Sequence, residues 1–173
     1  MNIDNLEIPD EWCSILSQLQ VVEPDAILAG GSLRDLYHGV KPKDLDFFCR
    51  VFDGYVDLGM RESDTFDYEG MQYILAVQTY RKFSLPVNLI FIVDTPTKTL
   101  LESFDLGICQ IGFDGKQLIK TDAFEWDSKH SIITMRHIDR YRRSIQRYCR
   151  INQRYNFELT IPELDELNQK VKV

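Results

Sequence analysis

The chain has 173 residues, of which 44% are hydrophobic and 27% are charged, and it carries a net charge of −7. These values fit a globular protein and exclude a fibrous or a disordered one. No apolar run approaches the roughly 20 residues of a membrane-spanning helix, and the acidic N-terminal segment has no apolar core of a secretion signal. Four scattered cysteines without a CxxC pair are typical of a reduced protein. We therefore expect a cytoplasmic protein with no membrane partner, built as one domain over residues 1–160 with a short tail over 161–173.

The first 50 residues show alternating helix and strand signals. The predicted elements are a helix over 9–18, a strand over 25–29, a short helix over 33–38 and a strand over 44–49. Acidic residues after Pro9 suit the first turn of a helix. Ser32 is expected to cap the second helix, and Gly39 is expected to close it in the left-handed conformation.

The rest of the chain contains several short strand signals and one long helix signal. The predicted elements are loops over 52–70, strands over 72–79 and 87–93, a helix over 95–104, strands over 108–113 and 117–119, and a long helix over 135–155. Asp114-Gly115 predicts a hairpin between the last two strands. Because strands outnumber helices and do not alternate regularly with them, the fold class is predicted to be α+β.

The turn Gly30-Gly31-Ser32 lies between a predicted strand and a predicted helix. Glycines allow the backbone to approach an anion closely, and a helix start presents unpaired N–H groups with partial positive charge. Ser32 adds a hydroxyl donor, and Arg34 adds a guanidinium that can reach phosphate oxygens. Such a turn is often only a structural connection, so it gains meaning from the residues that follow.

Asp44 and Asp46 lie two residues apart on a predicted strand, so both carboxylates leave the same face. Two like charges about 4 Å apart cost about 4 kcal/mol in a medium of intermediate dielectric unless a cation offsets them. Carboxylate oxygens together with substrate phosphates are the ligands that Mg²⁺ prefers. The short helix between the two motifs would fold these carboxylates back towards the glycine turn. The sequence therefore predicts a site for a triphosphate and a metal ion.

The segment Gly30-Gly31-Ser32-Leu33-Arg34-Asp35, followed by Gly39 and Asp44-Leu45-Asp46-Phe47, resembles the signature of the DNA polymerase beta nucleotidyltransferase superfamily. The tRNA CCA-adding and bacterial poly(A) polymerase branch is the most similar. This resemblance implies a small mixed β-sheet with helices packed on one side, to which the sequence pattern adds the long basic C-terminal helix described below. It also implies that Gly30, Gly31, Ser32 and Arg34 bind an NTP, and that Asp44 and Asp46 hold two Mg²⁺ ions.

The chain departs from this pattern at the third carboxylate that the family supplies from a later strand. Asn88 occupies the expected position, and an amide carries no charge and is a poor proton acceptor. Loss of a general base typically lowers activity about 10²–10⁴-fold. Asp105, which precedes another predicted strand, could substitute for the missing carboxylate or could be an ordinary turn residue. Three alternatives follow: Asp105 completes the site, the enzyme is weakened, or the protein only binds nucleotide.

The predicted C-terminal helix carries a periodic set of arginines, spaced 4, 3, 4, 3 and 4 residues apart: Arg136, Arg140, Arg143, Arg147, Arg150 and Arg154. At 100° per residue they form one stripe, and tyrosine and isoleucine side chains occupy the opposite side. Arginine without lysine favours recognition of phosphate or carboxylate groups. The stripe is therefore predicted to contact a nucleic acid, and the alternatives are pairing with the acidic 53–69 region or with an acidic protein partner.

Together these features predict a Mg²⁺-dependent nucleotidyltransferase that moves NMP from an NTP to a hydroxyl, with RNA, such as a tRNA 3′ end, as the favoured acceptor. The competing hypothesis is a weakened or inactive relative that binds nucleotide, RNA or a protein partner. Because 173 residues leave little beyond the core, we expect this protein to lack the helical RNA-grasping domains of tRNA-tailing enzymes. A minimal form of the kind found in toxin–antitoxin systems and phage genomes is the nearer comparison.

Overall fold

A computed structural model of the chain describes residues 6–50, 58, 63–65, 73–137 and 141–162. The α-helices in these ranges are α1 Asp10–Val22, α2 Gly31–Tyr37, α3 Thr97–Glu102, α4 Asp122–His130 and α5 Tyr141–Tyr155. A 3-10 turn, Gly107–Cys109, follows α3. The strands are β1 Ile27–Ala29, β2 Leu45–Cys49, β3 Ser63–Thr65, β4 Ile74–Tyr80, β5 Val87–Ile92, β6 Ile111–Phe113, β7 Leu118–Lys120, β8 Ile132–Thr134 and β9 Glu158–Thr160. Within the described residues, no helix is both long and apolar enough to cross a bilayer.

Most strands belong to one mixed sheet. Its strand order is β3-β4-β5-β2-β1-β6-β7, and β8 and β9 form a separate parallel pair. In the large sheet, β2 and β5 are parallel, whereas the other neighbouring strands are antiparallel. The predicted hairpin at Asp114-Gly115 is present as the β6–β7 pair. The predicted α+β class with a mixed sheet is confirmed.

Helices cover both faces of this sheet, whereas the resemblance implied one. Trp12 and Leu16 of α1 pack against one face, which includes Phe47 of β2. Leu101 of α3 and Ile151 of α5 pack against the other face. The central strands β2 and β5 carry buried apolar side chains on both faces. Both faces of the sheet must therefore be covered by other elements.

The C-terminal half differs from the prediction in three places. The long helix does not include Met135, because residues 132–134 form β8 and Met135 forms a β-bridge with Leu106; α5 is described from Tyr141. Helix α4 was not predicted, although Thr121 accepts a capping hydrogen bond from the Phe124 N–H. Strand β3 lies within the stretch predicted as loops. The rest of that stretch apart from residue 58, together with Arg140 and tail residues 163–173, lies outside the described residues.

Candidate nucleotide and metal site

The glycine turn joins β1 to α2 as predicted. Gly30 is the residue before the helix and adopts φ +83°, a left-handed conformation that strains any residue with a Cβ. Its N–H donates to the Ile111 carbonyl at 2.8 Å, which fixes the turn to the end of β6. Gly39 also has positive φ, at +68°, so it closes α2 in the predicted conformation. The backbone requires glycine at both ends of this short helix.

The prediction that Ser32 caps α2 is wrong. The helix begins at Gly31, with Gly30 at the cap position and no side-chain capping bond. Ser32 is therefore inside the first turn and is buried, with 2% of its surface exposed. Its Oγ has no hydrogen-bond partner among the described residues. Ser32 is not among the residues that line the cavity described below.

Asp46 is the first member of a row of polar side chains that crosses three strands. Asp46 of β2 pairs with Asn88 of β5, and Asn88 pairs with Thr79 of β4. The side-chain Nδ2 of Asn88 donates to Asp46 Oδ1 at 2.8 Å, and the Thr79 hydroxyl donates to Asn88 Oδ1 at 2.9 Å. Asn88 thus stands directly beside Asp46, the position at which the family pattern supplies its third carboxylate.

Asp44 and Asp46 are close enough for the charge of Asp44 to act on Asp46. Asp44 is exposed just before β2, and Asp46 is partly buried within the strand. Burial and then the charge of Asp44 raise the pKa of Asp46 to about 6, although Asn88 and two arginines act in the opposite direction. No group of three or more histidine, cysteine or acidic side chains that could hold a metal ion exists in the described part of the chain. The residues present therefore suit a cation that takes the remaining ligands from a substrate or water.

A cavity of about 170 Å³ opens beside this row. Its polar lining comes from the glycine turn, Arg34, Asp46 and Arg147, and its apolar lining includes Phe48 and Phe104. Pockets that enclose a whole small ligand usually measure about 300–1,000 Å³. This cavity therefore has room for part of a nucleotide, and its polar side suits the phosphates.

Arg34 is buried in a network that joins α2 to α5. Its guanidinium donates through Nε and Nη2 to Asp35 Oδ1, and Nη1 lies 3.1 Å from the Cys109 sulfur. The guanidinium carbon also lies 5.5 Å from the centre of the Tyr155 ring. The Tyr155 hydroxyl donates to Asp35 Oδ1 at 2.6 Å, and Arg154 donates to Asp35 Oδ2. Arg34 lines the cavity, and much of its hydrogen-bonding capacity is already used by these neighbours.

Asp105 is buried beneath α5. Its Oδ2 accepts from the Ser144 hydroxyl at 2.8 Å, and its Oδ1 accepts from Arg147. Both carboxylate oxygens are thus engaged by α5, and the residue is not among those that line the cavity. In this conformation the Asp105 carboxylate holds Arg147 and Ser144 of α5 and does not lie with Asp46 at the cavity.

The predicted arginine stripe divides between the interior and the surface. Arg147 and Arg154 turn towards buried aspartates, with 31% and 21% of their side chains exposed. Arg143 and Arg150 are exposed on α5. Arg136 lies before the helix, where its N–H donates to the Asp105 carbonyl at 2.8 Å. The prediction of a continuous, solvent-facing arginine stripe is therefore wrong, because Arg147 and Arg154 form ion pairs with buried aspartates.

Sequence reasoning gave no role to Asp35, Tyr155 or Cys109. Asp35 belongs to the segment that resembles the superfamily signature, and its position next to Arg34 is the sequence feature that indicates their ion pair. Tyr155 was assigned to the packed face of the helix, which its contacts agree with. The hydrogen bond from Tyr155 to Asp35 joins residues 120 positions apart, so local patterns carry no trace of it.

Comparison with protein families finds no match to the chain, and comparison with characterised proteins by sequence also finds none. Solved structures do match. The match with a Thermotoga maritima CCA-adding enzyme complexed with tRNA includes 97% of this chain and 43% of the enzyme chain, with 20% identity and a TM-score of 0.69. A CCA-adding enzyme in complex with ATP covers 95% and 44%, with 20% identity and a TM-score of 0.68. A Bacillus stearothermophilus CCA-adding enzyme in complex with CTP covers 88% and 42%, with 16% identity and a TM-score of 0.65.

The chain thus spans less than half of the length of each of these three enzymes. At such identities the likeness shows a shared fold. The nucleotidyltransferase fold that the motif predicted is confirmed.

Proposed function

We propose that the protein is a nucleotidyltransferase that moves NMP from an NTP to a hydroxyl group. One observation carries this proposal: the Gly30-Gly31 turn, Arg34 and Asp46 line the same cavity. A turn suited to phosphate and a carboxylate suited to a cation are 15 residues apart in the sequence, and the fold brings them to one place. The shared fold with CCA-adding enzymes supports the same conclusion.

Each group at the cavity has a distinct part in the proposed reaction. The N–H groups at the start of α2 and the guanidinium of Arg34 hold the triphosphate. The acceptor oxygen forms a bond to the α-phosphorus, the bond from that phosphorus to the bridging oxygen breaks, and pyrophosphate leaves. The acceptor proton passes to solvent water, because Asn88 stands where the family pattern supplies its third carboxylate and an amide is a poor proton acceptor.

Asp44 and Asp46 are the residues that would hold Mg²⁺. A bound Mg²⁺ would offset their charge and stabilise negative charge on the phosphates. The raised pKa of Asp46 reflects burial and the nearby Asp44 carboxylate, and a cation would relieve that repulsion. The donor set therefore fits Mg²⁺, with the remaining ligands supplied by the NTP.

RNA is the acceptor that the surface of α5 favours. This helix contains five arginines and no acidic residue, in a protein whose net charge is −7. Arg143 and Arg150 are exposed there and can reach phosphates of a nucleic-acid backbone. One of the similar structures is a CCA-adding enzyme bound to tRNA, so a tRNA 3′ end is the first acceptor to examine.

The test uses purified protein, each of the four labelled NTPs, total RNA, and Mg²⁺ or Mn²⁺. We expect label in RNA from at least one NTP. The Asp46→Ala variant should lose at least about 100-fold of this activity, because the proposed metal ligand that lines the cavity is removed. Asp94→Ala is the matched control, since Asp94 is an exposed carboxylate that does not line the cavity. Absence of transfer from all four NTPs would exclude the proposal.

A second candidate is a protein that binds nucleotide without transferring it. The hydrogen bond from Asn88 to Asp46 favours this alternative, because an amide occupies the position of a catalytic carboxylate and engages one oxygen of Asp46. Nucleotide binding without transfer in the wild type, together with transfer by Asn88→Asp, would identify this function.

A further inference from the structure

We infer that the cavity takes one divalent cation with each NTP, and that the guanidinium of Arg147 supplies the second positive charge at the phosphates. This inference rests on the proposed function and specifies how its site is built. It departs from the two-ion arrangement that the sequence resemblance implies.

The first argument is the supply of ligands. Asp46 lines the cavity, and the negative charge of Asp44 acts on it from the residue before the same strand. No group of three metal-binding side chains exists within the described ranges. Two ions bridged by only two carboxylates would leave most of their coordination to water and phosphate. One ion between these carboxylates and the triphosphate satisfies the usual Mg²⁺ preference for one or two carboxylates plus phosphate oxygens.

The second argument is the orientation of Asn88. Its Nδ2 donates to Asp46 Oδ1, while its Oδ1 accepts from Thr79. The amide therefore presents a donor to Asp46, where a second metal ion would need an acceptor. A cation between these two side chains would have to displace the 2.8 Å hydrogen bond that Asn88 makes. The side of Asp46 that faces β5 is thus occupied by a hydrogen-bond donor.

The third argument is the placement of Arg147. It lines the cavity together with Gly30, Gly31 and Asp46. The carboxylate that holds it, Asp105, is 3% exposed and lies behind it, anchored in turn by the Ser144 hydroxyl. The positive end of this ion pair thus faces the cavity and the negative end is enclosed. A guanidinium held in this way is positioned for phosphate oxygens before the nucleotide arrives.

The experiment counts cations bound with a non-hydrolysable NTP analogue. Mn²⁺ bound to the protein–analogue complex is measured by electron paramagnetic resonance, with free Mn²⁺ and Mn²⁺–analogue measured separately. We expect one Mn²⁺ for each bound analogue in the wild type and two in Asn88→Asp. A count of two or of zero in the wild type would overturn the inference.

Arginine variants test the second positive charge. Arg147→Gln keeps a hydrogen-bond donor for Asp105 and should weaken analogue affinity about 10–100-fold, while the Mn²⁺ count stays at one. Arg147→Lys should recover part of the affinity, because it restores the charge without the forked geometry. Arg142→Ala is the control, since Arg142 is exposed on the same helix and does not line the cavity. Equal affinities for Arg147→Gln and Arg142→Ala would contradict the inference.

The outcomes separate this inference from the proposed function. One bound Mn²⁺ without any label transfer would remove the nucleotidyltransferase proposal and leave the one-cation site in place. Label transfer with two bound Mn²⁺ ions would do the reverse.

Discussion

The amide nitrogen of Asn88 lies 2.8 Å from Oδ1 of Asp46, across the parallel pair formed by β2 and β5. An amide can stabilise the neighbouring carboxylate without any cation, because it donates a hydrogen bond and carries no charge. A carboxylate at the same position would need a cation to offset the repulsion. We therefore expect the residue at position 88 to determine how strongly the stability of the folded site depends on a bound cation.

Asn88→Asp should make the stability of the protein depend on divalent cations. Without Mg²⁺, we expect the free energy of unfolding at pH 7.5 to fall by about 1–3 kcal/mol, because a hydrogen bond is replaced by charge repulsion. Added Mg²⁺ should restore most of this loss, as measured by urea unfolding. Asn88→Ala, which removes the hydrogen bond without adding charge, is the control. An equal response of both variants to Mg²⁺ would contradict the prediction.

Asp46 should make the protein less stable as the pH rises from about 4 to 6. Its folded pKa is about 6 and lies above the ordinary value of 3.8, so the folded state holds the proton more tightly than the unfolded state does. The stabilisation is complete below the unfolded pKa and is lost as the pH passes through the folded pKa, by up to about 3 kcal/mol. Urea unfolding of the wild type and of Asp46→Asn across this range measures the difference. Identical pH dependence in the two proteins would show that Asp46 is not responsible.

Ser32 and Ser144 are both buried serines, and their hydroxyls differ in hydrogen bonding. Ser32→Ala should leave the free energy of unfolding unchanged or raise it by about 1 kcal/mol, because the buried hydroxyl has no partner among the described residues. Ser144→Ala should lower it by about 1–3 kcal/mol, because Asp105 loses a donor. Thermal and urea unfolding test both variants. A larger loss for Ser32→Ala would indicate a hydrogen bond that this conformation lacks.

Arg154 should contribute to the stability of the fold, whereas Arg150 should contribute to RNA binding. Arg154→Ala leaves the buried Asp35 without one of its donors, and we expect a loss of about 2–4 kcal/mol in unfolding free energy. Arg150→Ala should change this free energy by less than about 0.5 kcal/mol, because the residue is exposed. It should instead weaken RNA binding and make that binding less dependent on salt. Affinity measured at several salt concentrations checks this, and an unchanged salt dependence would argue against contact at Arg150.

Local sequence patterns predicted the parts of the site that are built from neighbouring residues. The glycine turn, the position of Asp46 on its strand and the amide at Asn88 all follow from spacing within short segments. Tertiary packing decided the rest. The periodicity of the arginines indicated a stripe but not which members would meet Asp35 and Asp105, since both aspartates lie far away in the sequence. The depth of Ser32 likewise depends on packing around α2, which residue type alone does not reveal.

The bonds from α5 to Asp35 span 119 and 120 residues, and the bond from Arg147 to Asp105 spans 42. During synthesis on a ribosome, the glycine turn and the Asp44-Leu45-Asp46 segment emerge long before α5 does. Until then, Asp35 lacks two of its donors and the cavity lacks the side chain of Arg147. The nucleotide site is therefore expected to be among the last parts of the protein to form, and nascent chains that end before residue 141 should not retain nucleotide.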